Sequence, residues 1–176
     1  NKAIELHELY RFSTNHTMVH PVITIPNSEK KPVTWEEFRN IELDDNDPFI
    51  YELINGEIMK RTAPSLLHQR ASGRLITAIN NFLEEHPMGE AFTAPIDMGL
   101  DEHNGLQPDL VFISKERSFL IEDGDYIKGT PDLVDEIISP GYVRRERVEK
   151  KDIYERFAVR EYWLIDPSSR KVKNYD

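Results

Sequence analysis

The stretch TPDLVDEIISP, Thr130 to Pro140, constrains the fold more than any other part of the chain. Prolines flank it, and Leu133, Val134, Ile137 and Ile138 read as a strand buried in a sheet, yet Asp132, Asp135 and Glu136 lie inside or beside that apolar run. An ionised carboxylate in such a strand is costly unless a cation or several donors hold it. QPDLVFIS, Gln107 to Ser114, repeats the problem with Asp109 at the mouth of a second apolar run. Strand alternation puts Glu136 on one face with Val134 and Ile138, and Asp109 on one with Val111 and Ile113. Two such acids suggest a shared site in which a divalent metal is one solution; the alternative is that both lie at frayed, solvated strand ends.

The rest of the chain supplies the elements around these strands. Residues 1–32 mix a short helical pattern, AIELHELYRF, with breakers, and read as an extension ahead of a core domain over 33–176. Thr34 opens a capping box with Glu37 and starts a short helix, which DDNDP ends. FIYEL, Asn55-Gly56 and EIMKR form a hairpin signal with a type I′ turn. From Ser65 to about Pro87, Leu67, Ala71, Leu75, Ala78, Ile79 and Phe82 recur at helical spacing. EAFTAPIDMGL, PDLVFIS and PDLVDEIIS then read as three strands, YVRRERVEKKDIYERFAV as a second long helix, and EYWLID and KVKNY as strands. The order helix, three strands, helix, strand predicts an α/β core, a central mixed sheet flanked by helices.

Composition narrows the chemistry. The chain has 176 residues and no cysteine, which excludes thiolate nucleophiles, zinc fingers and iron–sulfur clusters and leaves oxygen or imidazole ligands for any metal. Its 22 basic and 32 acidic side chains give a net charge of -10, the wrong sign for a protein that binds nucleic acid by blanketing phosphates. Acids gathered around divalent cations escape that objection. No apolar run reaches the ~20 residues that span a bilayer, and the first residues lack a signal-peptide pattern, so a cytoplasmic protein without a membrane partner is expected.

Lys150 adds a third group. Ile153, Tyr154 and Phe157 stand three, four and seven residues after it, so it shares the stripe that must face the sheet. Its ammonium is then drawn toward the strand acids, unless it snorkels to solvent or pairs with Glu146, four residues earlier. Two acids and a lysine are the minimum set for metal-assisted phosphodiester hydrolysis. A glycosidase with paired carboxylates fits less well, because a lysine is an odd neighbour for its general acid.

The element order resembles the PD-(D/E)XK nuclease superfamily. More closely, YELINGEI, the histidine opening the 65–87 helix, QPDLVFIS, PDLVDEIISP, EKKDIY and EYWLIDP resemble the Uma-two family of restriction endonuclease-like proteins, in six ordered blocks from about Val33 onward. The resemblance implies a restriction-endonuclease-like fold with an added N-terminal hairpin, and a Mg²⁺-dependent DNA endonuclease for which Mn²⁺ can substitute. It implies Asp109 and Glu136 as metal ligands, with the backbone carbonyl of Ile137 as a further one. The superfamily places its lysine two residues after the strand acid, where this chain has Ile138; the Uma-two pattern displaces it to the following helix, at Lys150. Glu52 and His68 match family positions as an outer acid and a phosphate or water contact, although a hairpin residue facing solvent and a helix cap would explain them equally. The chain departs from the family at Glu146, usually aspartate, and at AVREYW, usually GVPEYW. A homodimer is expected, since cutting both strands needs two sites or a repositioned one. The rival function is a catalytically silent module of the same fold that binds DNA or a protein partner.

Overall fold

The computed structural model describes residues 31–42, 47–139 and 144–175, with side chains in the last segment from residue 148 onward. The helical pattern near the N-terminus and most of DDNDP lie outside the described residues. Thr34 caps α1 (Trp35–Arg39) by the expected box: its hydroxyl accepts from the Glu37 N–H at 3.2 Å and its own N–H donates to Glu37 Oε2 at 2.8 Å. The hairpin follows as β1 (Ile50–Ile54) and β2 (Glu57–Arg61), with Asn55 at φ 52° and Gly56 at φ 78°, both in the left-handed region that a type I′ turn requires. Ser65 caps the long helix α2 (Leu66–Glu85), its hydroxyl accepting from the His68 N–H.

EAFTAPIDMGL, read from sequence as one strand, is two. β3 (Gly89–Thr93) pairs antiparallel with β6 (Leu110–Ser114), whereas β4 (Met98–Asp101) pairs with β5 (Asn104–Leu106) in a different sheet. The break contains Pro95, which has no N–H for a ladder, so the chain leaves one sheet there and enters the other. A 3₁₀ segment over Lys115–Leu120 and the two-residue β7 (Ile127–Lys128) precede β8 (Leu133–Ile137). Helix α3 (Arg144–Arg156), β9 (Glu161–Asp166) and β10 (Lys171–Tyr175) complete the order.

The strands form two five-stranded sheets, ordered β2-β1-β5-β4-β7 and β10-β9-β8-β6-β3. Both are mixed: β4 and β7 run parallel in the first, β8 and β9 in the second, and the other pairs are antiparallel. The predicted mixed α/β class holds, but the single central sheet becomes two, and the added hairpin is the edge of the first. One apolar core joins them. Ile54, Met59, Met98 and Leu106 come from the first sheet, Val111, Ile113, Val134 and Tyr162 from the second, and Ile153 and Tyr154 from α3. The Trp35 ring packs against Gly99 and Gly105, where a side chain at Gly105 would collide with it; glycine lets α1 seat on the first sheet.

Helix α2 ends where the breakers predict, but its inward face is rotated from the expected stripe. Ala71, Leu75 and Ile79 are half-buried as expected, whereas Leu67, Ala78 and Phe82 are exposed. The inner face runs through Ser72, Ile76 and Leu83 as well, and His68 is its one fully buried residue.

Candidate active site

The site forms where β1, β6, β8, α2 and α3 meet. Glu136 alternates with Val134 on the face that α3 covers, and Lys150 reaches it from the helix: its ammonium donates to Glu136 Oε1 at 2.7 Å and to Glu52 Oε1 at 2.9 Å. Tyr154, one turn further along α3, donates its hydroxyl to the same Glu136 oxygen at 2.7 Å. All four side chains are buried, with Glu52, Glu136, Lys150 and Tyr154 each 1% exposed. Glu52 also accepts from the Gln107 N–H at 2.8 Å, and its second oxygen meets Arg61 Nε at 2.9 Å. Antiparallel register explains that pair: Ile50 faces Arg61 and Glu52 faces Met59, so Glu52 and Arg61 are diagonal neighbours on one face of the hairpin. Arg61 extends to Glu136 Oε2 at 4.0 Å.

Asp109 sits at the mouth of β6 and closes the other half of the site. Its N–H donates to the Asp135 carbonyl, and its Oδ2 accepts from the Ile137 N–H at 2.7 Å, so its carboxylate takes a place in the β6–β8 ladder. Its Oδ1 lies 3.3 Å from His68 Nε2, while His68 Nδ1 is 3.0 Å from Ser139 Oγ. The ring therefore ties α2 to the two strands that carry the acids.

Electrostatics separates the three site acids. Burial works to raise the Glu52 carboxyl, but Arg61 and Lys150 outweigh it and hold the group below its ordinary value. Burial likewise opposes His68, the Ile137 N–H and Lys150 at Asp109, which ends lowered. Glu136 moves the other way: burial raises it, Lys150 pulls it down, and the negative charges of Asp109 and Glu52 add to the rise. Burial and the nearby Glu136 push the Tyr154 hydroxyl well above its usual range, so it remains a donor. A positive charge added near Asp109 and Glu136 would relieve their mutual repulsion.

Every residue assigned to the site from the sequence lies in this cluster: Asp109, Glu136, Lys150, Glu52 and His68, with Ile137 contributing its N–H to Asp109. Glu52 is not a solvent-facing hairpin residue, and Ser65 rather than His68 supplies the helix cap. Glu146, the alternative partner of Lys150, has its side chain outside the described residues. Sequence reasoning missed Arg61, Gln107, Ser139 and the hydroxyl role of Tyr154. For Arg61 the signal existed in hairpin register, and for Tyr154 in its i+4 spacing from Lys150. Among the described residues no group of three or more His, Asp or Glu side chains converges in metal-holding geometry.

Two mixed sheets flanked by helices, with buried acids and a buried lysine between them, define a nuclease-type α/β fold. A solved putative nuclease belonging to DUF820, from Anabaena variabilis, has this fold: it matches at 24% identity over 82% of this chain and 79% of its own, with a TM-score of 0.68. The family model described as "Uma2: Putative restriction endonuclease" matches residues 35–176. This chain belongs to the Uma2 family. No curated protein matches it.

Proposed function

We propose that the chain is a Mg²⁺-dependent DNA endonuclease that hydrolyses phosphodiester bonds, with Mn²⁺ able to replace Mg²⁺. The observation that carries this reading is Lys150, buried on α3 and bound to Glu136 and Glu52 where the superfamily pattern would place a strand lysine. Asp109, Glu136 and the Ile137 carbonyl would hold the metal. Mg²⁺ is commonly held by one or two carboxylates together with waters and substrate phosphate oxygens, so two repelling acids with a single backbone carbonyl suit it. Bound there, it would acidify water and offset phosphate charge.

The chain's own groups do the rest. Lys150 donates to two carboxylates and would orient or activate the attacking water. Glu52 and Arg61 fix Lys150 and, with Tyr154, keep Glu136 oriented. His68 holds Asp109, and it would contact a phosphate or water only by giving up Asp109 or Ser139, since both ring nitrogens are engaged. In this reading residues 33–176 are the nuclease domain, residues 1–32 an extension, and the working form a cytoplasmic homodimer. No helix among the described residues is long and apolar enough to cross a membrane.

A plasmid-nicking assay with Mg²⁺ or Mn²⁺ tests the proposal. Nicking by the wild type, lost in Asp109→Ala and Lys150→Ala, is the expected result; a folded wild type that leaves plasmid intact with either metal refutes it. One observation favours a second reading, a silent module that binds DNA or a protein partner: Glu136 Oε1 already accepts from two donors, so the site is closed on itself. Duplex binding without cleavage would establish that reading.

A further inference from the structure

Acids are unevenly spread along this chain. It carries 32 Asp and Glu in 176 residues, yet none falls between Ile58 and Leu83. That run holds Lys60, Arg61, His68, Arg70 and Arg74 and all of α2 except its last two residues. Within it Arg70, Gly73, Arg74, Thr77 and Asn81 recur at spacings of three and four, which puts them on one stripe, and all five are exposed. His68 precedes Arg70 by two residues but turns inward to Asp109. At about 1.5 Å per residue, Arg70 and Arg74 stand about 3 and 9 Å further along the helix than His68. The stripe thus leads away from the candidate site on an element that helps build it.

The side chains of Arg70 and Arg74 make no hydrogen bond or ion pair with any described residue. Gly73 lies between them, and a Cβ placed there would meet nothing within 4 Å. Both guanidinium groups are therefore uncommitted among the described residues, and the first acid of the helix on their stripe, Glu84, stands ten residues beyond Arg74.

We infer that this stripe of α2 is a phosphate track, on which Arg70 and Arg74 each engage a backbone phosphate of duplex DNA on the outer face of the helix whose inner face carries His68. The inference rests on the nuclease reading and adds the surface by which the substrate is held. A chain with a net charge of -10 repels a polyanion over much of its surface, so a basic stretch of helix with no acid before Glu84 selects where a duplex can approach. The two arginines are separated by about 6 Å of helix rise, against about 3.4 Å of duplex axis per phosphate on one strand, so they reach separate phosphates. Gly73 leaves the helix backbone open to a close approach between them. Such contacts set register and affinity and carry no base preference.

Fluorescence anisotropy on a short labelled duplex in EDTA, over a range of salt, tests this without cleavage. R70Q/R74Q should weaken binding ~10-fold or more near 50 mM salt and reduce the slope of log affinity against log salt by about 1.8, some 0.9 for each phosphate lost. R70K/R74K, which keeps both charges, should retain the slope. K171Q/K173Q removes two charges from the exposed residues of β10 and should change neither quantity. Thermal melts establish that each variant is folded. If the wild type binds and R70Q/R74Q keeps its slope, or K171Q/K173Q loses as much, the track is overturned and the nuclease reading stands. Light scattering in which R70Q/R74Q turns a dimer into a monomer would overturn it too, by assigning the stripe to a contact between copies. A wild type that does not bind duplex overturns the track, and plasmid nicking with Mg²⁺ then decides the nuclease reading separately.

Discussion

Replacing Asp135 by asparagine removes an ionisable group while keeping its shape. Asp135 lies in the middle of β8, fully buried, and neither carboxylate oxygen meets a hydrogen-bond donor. Burial, then the charges of Asp109 and Glu136, push its carboxyl up to about 8 from an ordinary 3.8. A carboxyl raised on folding binds its proton more tightly in the native than in the unfolded chain, so stability falls as pH rises from the unfolded value toward the folded one. Near neutral pH, about three units above the unfolded value, the penalty is about 4 kcal/mol at about 1.4 kcal/mol per unit. Asparagine has no such penalty. The stability difference between Asp135→Asn and wild type should therefore rise by about 1.4 kcal/mol per pH unit between about pH 5 and pH 7, then level off above about pH 8. Urea unfolding in EDTA at each pH, with unchanged m-values, measures it. An offset from the amide's own unmet hydrogen bonds would displace the curve without tilting it. Parallel stability profiles for the two proteins would refute the reasoning, because they would mean that Asp135 reaches solvent or a donor in the native state.

Lys150→Met should cost stability as well as activity: it leaves Glu136 and Glu52 buried without their shared cation, and a loss of ~3 kcal/mol, the low end for breaking a buried pair, is expected because Arg61 still pairs with Glu52 and Tyr154 still donates to Glu136. Cleavage by the folded variant should fall ~100-fold or more, while Lys151→Met, which removes a surface pair with Glu155 and a cation–π contact with Tyr175, should leave both properties near wild type; equal activity in Lys150→Met would remove the lysine from the mechanism. Mn²⁺ should raise the melting temperature of the wild type, since a ligand that binds only the native state stabilises it, and an equal rise in Glu136→Gln would place the cation elsewhere. Light scattering should return twice 20.6 kDa; a species near 20.6 kDa at high protein concentration would rule out the homodimer.

Local signals in this chain were legible because each rests on a short-range rule. The Thr34 capping box, the Asn55-Gly56 turn and the limits of α2 all need only a few neighbouring residues, and all are present. The first sheet, beyond its hairpin, was not legible. Its β5 and β7 have three and two residues, too short to show a period, and β4 was hidden inside a longer apolar run. The rotation of α2 has a similar cause. Its apolar residues surround more of the helix than one stripe, and the side that faces inward is chosen by docking against β3 and β8, not by spacing alone.

For the site, direction could be read but destination could not. Spacing put Lys150 on a stripe with Ile153, Tyr154 and Phe157, and that stripe does face the sheet: Ile153 and Tyr154 are buried and Phe157 half-buried. Glu136 was a legible target, since it lies on the face of β8 that such a helix covers. Glu52 is 98 residues from Lys150 in the chain, and no periodicity in either segment encodes which edge of the first sheet lies over the second. The resemblance supplied that residue; the hairpin register explains why Arg61 accompanies it. The same logic accounts for the lysine's displacement to the helix. Two turns of α3, through Lys150 and Tyr154, deliver donors to one oxygen of Glu136, so an ammonium from the helix reaches the carboxylate that a strand residue at 138 would otherwise serve. The strand position is then free to be apolar, and the chain places Ile138 there, with its N–H bonded to the Ile165 carbonyl in the ladder with β9.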